Sequence, residues 1–170
     1  MTQTGDLERR IERLPDPWQQ VDASGEADRL IQVLEEADAT PGWAELRRSW
    51  LDFAGARPGQ DVLDVGCGTG VVARDFARRV GEQGRVVGID PSRCLIEEAV
   101  HRLEEQSLKG RIEFQSGDGA ALPFPDGSFD LVVAAAVFSH TPNGVEVLAE
   151  MIRVARPGGA VVVLDRKSVV

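Results

Sequence analysis

Three glycines at alternate positions, Gly66, Gly68 and Gly70, close the run V-L-D-V-G-C-G-T-G. They directly follow residues 62–65, an apolar run that reads as a buried strand. Glycine inside a regular element costs roughly 0.5–1 kcal/mol relative to alanine, so three in a row imply a tight turn, a positive φ or a close approach to bare backbone. If a helix starts at Val71, its free N–H groups add a place for a phosphate or carboxylate. Asp90 ends the next apolar run, R-V-V-G-I-D, about 20 residues on, where an acid can accept both hydroxyls of a ribose. Asp118, in Gly117-Asp118-Gly119 after a third run, can accept a hydrogen bond from an exocyclic amine. Each feature has a plainer reading: an unliganded turn, a cap on the following helix at Pro91-Ser92, and a turn aspartate.

The histidines are two, His101 and His140. His101 sits in a helical stretch and reads as a surface residue. His140, in V-F-S-H-T-P just past a fourth strand, is a candidate base near the mouth of the site, with a lining or structural role favoured.

Alternating strands and helices position these residues. Strands are predicted at 62–65, 85–89, 111–115, 131–137 and 160–164, and helices at 71–80, 92–106 and 145–155. The last helix is expected to turn Val145, Leu148, Ile152 and Ala155 inward, and Arg156 to Gly159 read as a turn. Such alternation predicts an α/β fold, a doubly wound, mostly parallel sheet covered on both faces. Its crevice lies at the carboxyl ends of the strands, where the glycines and acids fall. Residues 1–56 differ in texture and read as an N-terminal helical segment. Three helical faces are visible there: Leu7, Ile11, Leu14; then Leu30, Val33, Leu34, Ala37; then Trp43, Leu46, Trp50, Phe53. Thr40-Pro41 reads as a helix start. Trp18, Trp43 and Trp50 are candidate pocket aromatics, with core packing favoured.

The 170 residues suit one domain. Their net charge of −9 opposes binding to nucleic acid or anionic lipid. Cys67 and Cys94 are too few for a disulfide framework, no apolar run reaches the ~20 residues of a membrane span, and residues 1–10 lack a signal-peptide core. A soluble, cytoplasmic protein without a metal site is the expectation.

The glycine spacing, G-x-G-x-G, departs from the dinucleotide fingerprint G-x-G-x-x-G, because Val71 stands where the third glycine belongs. V-L-D-V-G-C-G-T-G, V-V-G-I-D-P-S, G-D-G-A-A-L-P-F-P-D-G-S-F-D-L-V and E-M-I-R-V-A-R-P-G-G, in that order, resemble the class I S-adenosylmethionine-dependent methyltransferases of the small-molecule, ubiquinone/menaquinone-biosynthesis type. The resemblance covers residues 57–164 and implies a Rossmann-like sheet of order 3-2-1-4-5. In that family Asp64 and the loop of Gly66, Cys67, Gly68, Thr69 and Gly70 would hold the methionine end of the cofactor. Asp90 would take the ribose, Pro91 and Ser92 would line it, and Asp118, flanked by Gly117 and Gly119, would receive the adenine amine. Ala135 and Ala136 would face the methionine portion. Cys67 is not expected to be a nucleophile. S-adenosyl-L-homocysteine would be the product, a small molecule the acceptor, and residues 1–56 a lid.

The turn Asn/Asp-Pro-Pro-aromatic, which marks methylation of nucleic-acid bases, is absent after the fourth strand. The family's sixth and seventh strands are not found in residues 57–170. That leaves three readings: a piece of a longer chain, a homodimer through the C-terminal sheet edge, or a gap covered by the N-terminal helices. Two functional alternatives stand beside methyl transfer. One is a non-catalytic cofactor-binding fragment or partner-completed subunit; the other is an NAD-dependent oxidoreductase.

Overall fold

Residues 62–65, 86–89 and 131–134 are buried without interruption, which strands achieve at the centre of a sheet covered on both faces. The computed structural model describes residues 16–105, 108 and 110–165. A 3-10 turn, Pro17–Gln19, leads into helices α1 (Val21–Ser24), α2 (Ala27–Ala39) and α3 (Pro41–Ala54). Then come β1 (Asp61–Val65), α4 (Val71–Val80), β2 (Arg85–Asp90), α5 (Arg93–Glu105), β3 (Ile112–Ser116), β4 (Phe129–Ala135), α6 (Gly144–Val154) and β5 (Ala155–Leu164). All neighbouring strands pair in parallel, in the order β3-β2-β1-β4-β5 expected from the resemblance. The order reverses between β1 and β4, so the crevice opens beside the loop after β1.

One sheet face packs Val62, Val86 and Val133 against Trp50 and Leu51 of α3, Phe76 and Val80 of α4 and Leu103 of α5. Trp50 meets Phe76 edge-on at 5.8 Å. The other face packs Leu63, Val65 and Val132 against Val147, Met151 and Val154 of α6. The N-terminal helices are tied down by charge as well as by apolar contact. Buried Arg74 of α4 donates to Thr69 O at 2.7 Å and reaches Glu35 of α2 at 3.4 Å, and Arg102 of α5 reaches the same Glu35 at 3.3 Å. Helix α3 starts at Pro41 after Thr40, as the sequence implies.

Three local expectations are corrected. In α6 the inward residues are Val147, Met151 and Val154, while Val145 is 80% exposed and Ile152 59% exposed. Both stripes are apolar at helical spacing, and it is the Val147, Met151 and Val154 stripe that packs with Val132 and Ala134 of β4. In α3 Trp50 is buried, but Phe53 is 80% exposed, and Leu51 and Ala54 take the inward places. The expected turn at Arg156 to Gly159 lies within β5, which follows α6 directly; a register shift opposite Phe129 and Leu131 and a φ of +83° at Gly158 absorb it. The expected face of Leu7, Ile11 and Leu14 lies outside the described residues.

Candidate functional site

The loop after β1 turns sharply because its amides share one acceptor. Gly66 N–H and Cys67 N–H both donate to Ile89 O, at 2.7 and 3.1 Å, and Gly70 N–H returns to Cys67 O at 2.9 Å. The three glycines have φ of +69°, +54° and +79°, a region costly for side-chain-bearing residues. Part of the close approach comes from the protein itself. A Cβ on Gly66 would stand 2.4 Å from Val137 Cγ2, and one on Gly70 would stand 2.3 Å from Phe114 Cζ. Gly68 is more open, with Leu34 Cδ1 at 3.1 Å.

Asp90 ends β2 nearly buried. Its Oδ2 accepts from Gly68 N–H and its Oδ1 from Ser92 N–H, both at 2.9 Å. Burial raises its carboxyl above the ordinary range, a shift these two backbone donors oppose. Two carboxylate oxygens offer about four acceptor sites, so two remain for a ligand. Asp64 of β1 lies deeper. Burial first, and the nearby Asp90 charge second, push it up to about 8. Its Oδ2 has no hydrogen-bond partner among the described residues. Burial also holds the Cys67 thiol well above its usual value, which suits packing rather than nucleophilic chemistry.

Two cavities open over the carboxyl ends of the strands. The smaller, about 570 Å³, is lined by Gly66, Gly68, Asp90, Pro91, Asp118 and Gly119, with Trp18 and Leu34 from the N-terminal elements. Asp118 Oδ1 accepts from Ala120 N–H at 2.8 Å, which leaves Oδ2 toward solvent or ligand. The larger, about 1080 Å³, lies between α3, the start of α4 and the end of β5; Trp43, Trp50, Val71 and Leu164 are among its walls. Leu34, Ala135, Ala136 and His140 line both. Ala136, at φ +58°, is held in the left-handed region by its N–H bond to Leu164 O at 2.6 Å.

Several anticipated residues thus converge on the smaller cavity: Gly66, Gly68, Asp90, Pro91, Asp118, Gly119, Ala135 and Ala136. The side chains of Asp64 and Thr69 are buried beneath the loop, and Cys67 Sγ sits 2.9 Å from where a Cβ on Gly88 would be. Gly70 and Gly117 serve packing, the latter leaving room for Ile89 Cδ1. The Ser92 hydroxyl donates to Asp22 Oδ1 and accepts from Leu95 N–H, so it joins α1 to the start of α5. His101 is exposed on α5.

One partner was not anticipated. His140 Nδ1 lies 2.7 Å from Asp16 Oδ2, while Asp16 Oδ1 accepts from Trp18 N–H at 3.0 Å. The Asp-Pro start of a turn was legible in D-P-W-Q, but nothing local ties it to a residue 124 positions away.

A parallel sheet of this order, with a nucleoside-sized crevice at its switch point and an acid ending β2, places the chain in the Rossmann-like class of α/β proteins. Within that class it belongs to the methyltransferase domain family, whose model matches residues 62–159. It is 35% identical over 119 residues to the ubiquinone/menaquinone biosynthesis C-methyltransferase UbiE of Shewanella pealeana, covering 70% of this chain and 47% of that protein. It is 41% identical over 119 residues to the demethylmenaquinone methyltransferase of Lactococcus lactis, with the same coverage. A crystal structure of a SAM-dependent methyltransferase from Aquifex aeolicus superposes with a TM-score of 0.66 at 29% identity, over 75% of this chain and 68% of that one. The chain spans about half the length of the curated relatives it matches.

Proposed function

We propose that this chain binds S-adenosylmethionine in the smaller cavity and directs its methyl group to a small-molecule acceptor in the larger one. The observation that carries the reading is the meeting of the two cavities at Ala135, Ala136 and His140, directly beyond the loop that Asp90 anchors. The smaller cavity suits the cofactor. Its volume of about 570 Å³ falls within the roughly 300–1,000 Å³ of small-molecule sites. Gly66 and Gly68 present backbone without side chains, and Asp90 and Asp118 keep acceptor oxygens for hydroxyls and an amine.

When bound, the cofactor supplies a methyl on a positively charged sulfur, so departure of the sulfide needs no acid. The residues of this chain therefore act mainly by alignment. Asp90 fixes the loop through Gly68 and offers its remaining lone pairs to the ribose. The small side chains of Ala135 and Ala136 stand in the wall that the two cavities share. Helix α2 reaches both cavities through Leu34 and α3 covers the larger one through Trp43 and Trp50, and in this reading residues 1–56 are the lid.

The relatives act, by their names, on ubiquinone and menaquinone precursors, which supports an apolar ring compound as acceptor here. The acidic composition and the two unpaired cysteines support a cytoplasmic protein that does not act on nucleic acid. Among the described residues no helix is long and apolar enough to cross a membrane. Among the described residues β5 is an edge strand and exposes Val163, which supports a homodimer through that edge.

Calorimetry with S-adenosylmethionine, S-adenosylhomocysteine and NAD tests the cofactor. Micromolar affinity for the first two and none for NAD is expected; the reverse order would replace this reading with a nicotinamide enzyme. Tight cofactor binding with no methylated product across a broad acceptor panel would favour a non-catalytic binding unit, a reading kept open because the chain spans half of its relatives.

A further inference from the structure

Residues 117–128, between β3 and β4, contain no helix or strand, yet they supply Asp118 and Gly119 to the smaller cavity. Two anchors hold the first half of this loop. At its start Gly117 N–H donates to Asp90 O at 3.0 Å. At Leu122 the anchor is an ion pair on α6: Glu150 Oε2 accepts from Leu122 N–H at 2.8 Å, and Arg153 Nη2 donates to Leu122 O at 2.9 Å. Both backbone groups of one residue are thus held by two side chains that hold each other. Arg153 Nε donates to Glu150 Oε1 and Nη2 to Oε2, each at 2.7 Å. Arg153 Nη1 continues along the loop to Phe124 O and Asp126 Oδ1, both at 2.8 Å. A planar guanidinium serves a carboxylate and carbonyls at once in fixed directions; a lysine ammonium does not. The Arg153 hydrogen bonds hold the Glu150 carboxyl below the usual range, so the pair is charged near neutrality.

Between the anchors the chain has little freedom. Asp118 Oδ1 accepts from Ala120 N–H at 2.8 Å, and Asp118 O accepts from Ala121 N–H at 3.1 Å. A Cβ on Gly119 would stand 3.0 Å from Val65 Cγ1 and 3.5 Å from Val147 Cγ1, so the loop is pressed between β1 and α6. Leu122 is buried in the core cluster that α6 shares with β1 and β4. We propose that Glu150 and Arg153 are positioning residues for the base of the cofactor: their grip on Leu122 sets where Asp118 Oδ2 stands, and so how strictly the cavity selects a base bearing an exocyclic amine over one bearing a carbonyl. This rests on the cofactor reading above. An amine donates to the carboxylate, whereas a carbonyl in the same place sets two acceptors against each other. A displaced Asp118 loses that discrimination, while Gly68 and Asp90, held by their own hydrogen bond, keep their contacts with the rest of the ligand.

Two probes that differ only in an amine or a carbonyl on the base, S-adenosylhomocysteine and S-inosylhomocysteine, isolate the effect, because general damage to the fold weakens both alike. By calorimetry the wild type is expected to prefer the first by at least about tenfold, the cost of leaving an acceptor unpaired. Asp118→Ala is expected to erase the preference. Arg153→Gln is expected to bring it below about threefold, and so is Arg153→Lys, which keeps the charge but not the fork. Glu150→Gln keeps an acceptor for Leu122 N–H and is expected to fall between; it carries the test if the Arg153 variants do not fold. A preference undiminished in the folded Arg153 variants, in Glu150→Gln or in Asp118→Ala would overturn the proposal. Equal binding of both probes by the wild type would overturn it too, and would leave the cofactor reading standing. A wild type that binds neither probe sinks the cofactor reading and the proposal with it.

Discussion

The Gly68 N–H donates to Asp90 Oδ2 at 2.9 Å, so the acid that ends β2 holds the glycine loop that ends β1. One carboxylate therefore has two duties: it shapes the backbone of the crevice and presents its remaining lone pairs to whatever enters. Removing it damages both.

Asp90→Ala is expected to weaken S-adenosylhomocysteine binding by at least about tenfold, the loss of one or more charge-assisted hydrogen bonds. Asp90→Asn, which keeps one acceptor oxygen, is expected to fall between. Calorimetry on variants whose circular dichroism matches the wild type checks the order; unchanged affinity in both variants would remove Asp90 from the site.

Asp64 makes stability depend on pH. Its folded value, pushed up to about 8 by burial and by Asp90, lies above its unfolded value of 3.8. Between these values the folded state holds a proton that the unfolded state has released, so this group lowers stability as pH rises from 4 to 8, by at most about 1.4 kcal/mol per unit. Asp64→Asn removes the titration. Its stability relative to wild type is expected to improve steadily from pH 5 to pH 8 in denaturant unfolding; a difference that stays flat with pH would show that Asp64 is not held protonated.

Gly70 combines a φ of +79° with Phe114 Cζ at 2.3 Å from an added Cβ. Gly70→Ala is expected to cost about 2–4 kcal/mol through left-handed strain and overpacking. Phe114→Leu in the same chain should restore part of that loss, because it relieves the contact and leaves the strain. Thermal melts of the single and double variants measure both parts.

Asp22 fastens the N-terminal helices to the rest of the chain. Its carboxylate accepts from the Ser92 hydroxyl and from the N–H groups of Arg93, at 2.9 Å, and Cys94, at 3.2 Å, capping α5 from another helix. The Ser92 hydrogen bond holds its carboxyl below the usual range. A lowered carboxyl stabilises above its unfolded value of 3.8 and loses that contribution as pH falls below it. Asp22→Ala is therefore expected to cost about 0.5–2 kcal/mol near neutrality and less as the pH is taken below 3.8. Hydrogen exchange should show the added opening in α1 and the first turn of α5.

The parallel sheet was legible because burial on both faces writes itself as short, unbroken apolar runs. Punctuation by glycine and acid at their ends then marked the crevice. The register of α6 was not legible. Val145, Leu148 and Ile152 have the same helical spacing as Val147, Met151 and Val154, and periodicity alone cannot rank two apolar stripes. The role of the glycines was legible only in part, since what crowds Gly66 and Gly70 are Val137 and Phe114, residues from distant parts of the chain.

By itself the sequence determined the alternation of strands and helices, the position of bare backbone and acids at strand ends, and the family to which they belong. These follow from local propensity and from patterns a few residues long. Only the tertiary structure decided that Asp16 meets His140, that Asp22 caps α5, and that two cavities share one wall. Each joins segments that no local interaction relates, and which side chains meet there depends on how helices α1 to α3 pack over a sheet formed from later residues.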